Sequence, residues 1–231
     1  NDVTNSLEIG MDNQDGFTLD YSGENAGRYN PVLTSECVIN CVAEDATFET
    51  FIDDIIGAQE QRFFMVIYLH DGGDYELFWV GLVLQGLINI DDTALPYPFQ
   101  LHAADGLGRL KDIDYPAVLD EDQTFIDYLI TILGETDLLQ FWGGGDILLA
   151  TGVNWYESSQ FTTTPAASLD PLAVSRVLNN TFMILNEFND EEALSCYDVL
   201  LQMCIRWHAT LVQSAGIFYF VQTNQLYPNT F

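Results

Sequence analysis

The sequence predicts an α+β protein: an N-terminal antiparallel β-barrel or sandwich with one inserted helix, then a mainly helical domain, then a C-terminal β-hairpin. Three observations carry this. Short alternating apolar and polar runs recur before residue 110, separated by turn residues and without a βαβ rhythm. The apolar period changes to that of a helix at 48–56, at 125–133 and again from Ser195 to Trp207. A further pair of strand-like runs flanks Ser214-Ala215-Gly216. The implied divisions are 1–112 for the β-barrel with its helix and 113–209 for the helical or mixed part. Residues 210–231 form the hairpin, read as complete in itself or as the start of a second barrel.

The elements follow in chain order. Residues 16–22 alternate Phe17, Leu19 and Tyr21 against polar neighbours, the pattern of a half-buried strand. Gly27, Asn30 and Pro31 mark 24–35 as a loop, and 37–43 reads as a strand. Phe48, Phe51, Ile52, Ile55 and Ile56 fall on one helical face, with Asp45 placed to cap it. Residues 63–69 and 75–84 flank Asp71-Gly72-Gly73-Asp74, the clearest hairpin of the chain, with Trp79 expected in the core. Residues 98–104 form another strand, and Asp105-Gly106 turns the chain into Leu107, Leu110 and Ile113 at helical spacing. The stripe Phe125, Ile126, Leu129, Ile130 and Leu133 stops at Gly134. An aromatic, glycine-rich stretch covers 138–160, with 147–155 read as extended. Asp170-Pro171 supplies a cap and a first-turn proline for a short helix. Ser195, with Asp198 three residues on, caps the last helix, whose apolar face is Val199, Leu200, Met203, Cys204 and Trp207.

Charge sets strong limits on function. The 231 residues hold 35 acidic and 6 basic side chains, a net charge of -29, and Lys111 is the only lysine. Duplex nucleic acid and anionic membrane surfaces are held by clustered Lys and Arg, which this chain lacks. No uninterrupted apolar run has the length of a membrane-spanning helix. No basic segment followed by an apolar one opens the chain, so a signal peptide is expected to be absent or already removed, and a start at Asn1 reads as a processed or trimmed product or a piece of a longer protein. The acidity fits a solvated surface, a calcium-rich protein, or a wall that anions pass without sticking; the solvated surface is the simplest.

Motifs for chemistry are missing or incomplete. Asp12-Asn13-Gln14-Asp15-Gly16 is similar to a calcium loop, but Met11 stands where an oxygen ligand is needed. His70, His102 and His208 share no zinc-binding spacing. Ser22 and Ser214 lack a nucleophile elbow, and no lysine follows Gly143-Gly144-Gly145 as a phosphate loop requires. Asn179-Asn180-Thr181 matches a glycosylation acceptor that short sequences produce by chance. Cys37, Cys41, Cys196 and Cys204 permit three disulfide pairings, among which the sequence does not choose. Cys37 and Cys41 are about 13 Å apart on an extended strand, too far to bridge each other. Four buried thiols, reduced in a cytosol, are the simpler reading. The expectation is therefore no catalytic residue, no cofactor, no bound metal and no enzyme activity.

Residues 77–84 (Leu-Phe-Trp-Val-Gly-Leu-Val-Leu) and 97–107 (Tyr-Pro-Phe-Gln-Leu-His-Ala-Ala-Asp-Gly-Leu) resemble the first barrel of phage tail hub proteins, the baseplate or tail-tip hubs that cap the tail tube. In that family a strand carrying an aromatic and G-x-V crosses to a strand ending A-x-D-G-L, and a helical domain follows. Phe125 to Leu133 resembles the helix that comes next, and Ser195 to Trp207 with the last hairpin resembles the return into a second barrel. The resemblance implies a structural virion protein at the tail tip, assembled in the host cytoplasm. Its partners would be itself, as a trimer around a channel, and other tail proteins. A complete hub carries a whole second barrel, so the resemblance implies either a reduced one here or a fragment. A second reading is a carbohydrate- or cell-surface-binding virion protein that uses Trp142, Trp155 and Tyr156.

Overall fold

A computed structural model describes residues 16–23, 30–58, 62–70, 72–88, 94–116, 121–138, 148–153, 170–185 and 191–223. The first part runs β1 (Phe17–Ser22), β2 (Val32–Ala43), α1 (Ala46–Gly57), β3 (Phe64–His70), β4 (Tyr75–Val83) and β5 (Tyr97–Ala104). A 3₁₀ turn over Leu107–Asp112 leads to β6 (Asp122–Thr124) and α2 (Phe125–Gly134). After β7 (Leu149–Gly152) come α3 (Pro171–Val174), β8 (Arg176–Leu178), β9 (Met183–Leu185) and β10 (Glu191–Ala193). The described chain closes with α4 (Cys196–Trp207), β11 (Ala209–Ser214) and β12 (Ile217–Gln222).

Local side-chain chemistry fixes the start of each of the four α-helices among the described residues. The Asp45 carboxylate accepts from the backbone N–H of Thr47 and Phe48, which fixes the start of α1 as the sequence predicts. Thr124 and Asp127 form a reciprocal capping box on α2. Asp170 caps α3 and Ser195 caps α4.

Eight strands form one sheet in the order β3-β4-β5-β2-β11-β12-β7, with β1 also on β2. Pairing is antiparallel except for β11 on β2 and β12 on β7. Of the expected barrel or sandwich, no closed barrel forms among the described residues: the ladder ends at β3 on one side and β7 on the other. The reason lies in β2, whose middle pairs with β1 and β5 while Val32 and Leu33 continue onto β11. The same contact corrects the loop expected over 24–35, because β2 begins directly after Pro31. The hairpin of β11 and β12 therefore sits inside the main sheet. Between residues 113 and 209 the short strands accompany α2, α3 and α4.

Two hydrophobic cores lie against this sheet. One gathers Cys37, Ile39, Ile52, Ile55, Trp79 and Phe99. The other gathers Val80, Leu107, Leu129, Leu200, Met203 and Phe218. Strand β4 serves both. A bulge opposite Ile67 and Tyr68 leaves Phe78 as an extra residue, so Phe78 and Trp79 both meet the first core, while Leu77, Val80 and Leu82 meet the second. The buried Gln213 carboxamide joins β11 to the backbone of Val80 in β4.

Candidate functional site

The most specific polar cluster is built where β5 ends. Asp105 follows Ala104, Gly106 adopts φ 79°, and the chain turns into the 3₁₀ segment. Positive φ suits glycine, and an added Cβ would also meet Thr136 at 3.4 Å. Asp105 is 0% exposed. Its Oδ2 accepts from Ser35 N–H at 2.6 Å and Ser35 Oγ–H at 2.9 Å, and its Oδ1 accepts from Leu107 N–H at 3.1 Å. Asp105 N–H donates back to Ser35 O at 3.1 Å. Ser35 Oγ accepts from Trp79 Nε1 at 2.9 Å. The node thus links Trp79 of one core to Leu107 of the other. Burial raises the Asp105 carboxyl to about 6, against the opposing pull of these hydrogen bonds.

Ser35 and Asp105 border a shallow cleft of about 320 Å³, together with Glu36, Lys111 and Tyr197. Lys111 Nζ stands 4.8 Å from the Tyr197 ring centroid, and His102 Nδ1 lies 2.9 Å from Glu36 Oε1. A buried carboxyl with a raised pKa beside a cleft is a common mark of a catalytic site. Here both carboxylate oxygens are occupied by Ser35 and Leu107, and His102 is engaged with Glu36. The arrangement holds the corner between β5 and the 3₁₀ segment together.

The three histidines stay on separate elements. His70 makes a tilted ring contact with Tyr75, centroids 4.8 Å apart, His102 lies on β5, and His208 ends α4 at φ 48°. Among the described residues no group of three His, Cys, Asp or Glu side chains is placed to hold a metal. Cys37 and Cys41 lie in one core, Cys196 and Cys204 in the other, all buried and none in a disulfide. Asn179 is also buried and its Oδ1 accepts from Tyr128 OH, which rules it out as a glycan acceptor in the folded chain. The calcium-like loop, Gly143 to Gly145, Trp142, Trp155 and Tyr156 fall outside the described residues. Sequence reading located the Asp105-Gly106 corner but missed Ser35, whose partnership with Asp105 joins positions far apart in the chain.

No protein-family model matches this chain, and no curated protein matches it. Among solved structures it is similar to the 43 kDa tail protein of prophage MuSo2 from Shewanella oneidensis, with 10% identity and a TM-score of 0.38. The match covers 89% of this chain and 53% of the other, so the chain spans about half the length of that tail protein. Among the described residues no helix is long and apolar enough to cross a membrane.

Proposed function

We propose that this chain is a structural protein of a phage tail tip or related injection machine, assembling as a homotrimeric hub around a channel and contacting other tail proteins. One observation supports this reading above the rest: the two stretches that carry the hub resemblance pack into a single cluster. A Cβ on Gly81, the glycine of G-x-V, would meet the Trp79 ring at 2.2 Å and Ala104 O at 2.5 Å. Trp79 in turn reaches Asp105 through Ser35, and Asp105 holds Leu107. The aromatic, the glycine and the Asp-Gly-Leu corner are therefore coupled, by packing at Gly81 and by hydrogen bonds through Ser35 and Asp105, which is a physical reason for such residues to occur together. Occupied oxygens at Asp105 accord with a scaffold rather than a catalyst. The acidic composition disfavours nucleic-acid binding.

Light scattering of the purified chain, followed by electron microscopy of its native particle, tests the proposal. Three copies ringing a channel at the tail tip are the expected result. A chain that stays monomeric at every concentration and is missing from the particle overturns it, as does hydrolytic turnover lost with a single carboxylate.

A further inference from the structure

The distal half of the β3–β4 hairpin carries an aromatic face. Strand β4 pairs with β5 only at Leu82 and Val83, so the segment beyond the bulge is flanked on that side by no β5 partner. There Tyr68 stands opposite Leu77, and His70 opposite Tyr75, which places Tyr68, His70 and Tyr75 on one face. Tyr75 is 73% exposed and Tyr68 52% exposed, and the rings of His70 and Tyr75 are in contact, tilted 39° to each other. Exposed Asp74 lies in the turn, and exposed Glu76 lies beside Tyr75 on the opposite face. No Lys or Arg occurs from Phe63 through Gly108.

We propose that this hairpin tip is a docking surface for an arginine-bearing segment of a partner protein. Aromatic faces attract cations through their quadrupole, and a planar guanidinium also stacks on them while its N–H groups reach nearby carboxylates. Lysine offers the charge without the plane. Charge complementarity selects the occupant: the tip is anionic, and the chain as a whole carries -29. A second copy brings the same excess of negative charge and only 6 basic residues, so self-association through this tip is repelled. The inference stands apart from the proposed tail role and holds whether or not the chain is a hub.

The test uses the full chain and two labelled peptides, an alternating Arg-Gly hexapeptide and its Lys-Gly counterpart, titrated at physiological salt. The arginine peptide binds more tightly, and Tyr68→Ser with Tyr75→Ser weakens it about tenfold without altering net charge. Asp74→Asn weakens it as well, whereas Glu76→Gln, on the opposite face, has the smaller effect, and these exposed substitutions leave the melting temperature unchanged. Equal binding of the two peptides overturns the proposal, since attraction to -29 alone accounts for it. So does full binding by the tyrosine variant, or a photocrosslinker at position 75 that captures a second copy. An oligosaccharide that binds the tip through the tyrosines, while the arginine peptide does not, replaces the proposal with a sugar platform.

Discussion

Gln213 hydrogen-bonds the backbone of Val80 as a neighbouring strand would: its Nε2 donates to Val80 O at 3.1 Å, and its Oε1 accepts from Val80 N–H at 3.2 Å. Both residues are 0% exposed. The carboxamide replaces a peptide group at a place where β4 has parted from β5. Substituting Gln213→Leu keeps the volume but leaves two buried backbone groups without a partner. A loss of about 2–4 kcal/mol in urea unfolding is expected. Gln213→Glu retains the acceptor, loses the donor and buries a charge, so it is the more damaging change at neutral pH and recovers partly in acid. An unchanged midpoint for Gln213→Leu would show the bridge to be incidental.

Such a bridge leaves no trace in a periodicity, whereas the hairpin around Trp79 does. Alternation on both sides of Asp71-Gly72-Gly73-Asp74 makes β3 and β4 legible, as the one-face recurrence of Phe48, Ile52 and Ile55 makes α1 legible. Strands β6, β8, β9 and β10 have three residues each, too few to display any period. Pro31 and Asn30 signal a loop convincingly, yet Val32 and Leu33 become strand because β11 arrives from the far end of the chain. The open sheet has the same origin: short alternating runs specify strands but not which partners they find. At the Asp105 corner, Asp-Gly is readable as a turn, while the buried carboxylate depends on Ser35 and could not be read locally.

Asp105 gives stability a specific pH dependence. Its folded value near 6 stands above the ordinary 3.8, so the folded chain binds this proton more tightly than the unfolded chain. The resulting stabilisation is complete below 3.8 and is lost as pH rises to and beyond 6. The change is on the order of 3 kcal/mol, from about 1.4 kcal/mol per unit. Asp105→Asn removes the titration but leaves a carboxamide that serves Ser35 and Leu107 less well. The variant is less stable than wild type, and its deficit narrows as pH rises from 4 to 7. Guanidinium unfolding of both proteins across that range measures the difference. A deficit that stays constant would assign Asp105 no titration in this window.

The four thiols are expected to be silent in the folded state. Burial raises Cys37 and Cys196 to about 12 and Cys41 to about 11, and it raises Cys204 as well. Thiolate is the reactive form, so it is scarce at neutral pH even before access is considered. A colorimetric disulfide reagent at pH 7.5 should titrate none of the four in the native protein and all four in denaturant. Rapid labelling of one residue under native conditions would reveal local opening around it.

The net charge of -29 bears on the proposed hub. If the chain rings a channel, part of the acidic excess should face that channel. Genomic DNA passing through a basic wall would be held by counterion release, a strong and salt-dependent attraction. An acidic wall repels the phosphates and keeps the path free. At physiological salt the effect reaches roughly 8 Å, so only carboxylates within that distance of the passage act on the DNA. The assembled particle offers a direct comparison: the density of Asp and Glu near the channel axis against the density on the outer face. A higher density at the axis is expected, and substituting those residues with Asn and Gln should slow ejection most at low salt. An outer face equally acidic would assign the net charge of -29 to solvation of the surface, with no role in DNA passage.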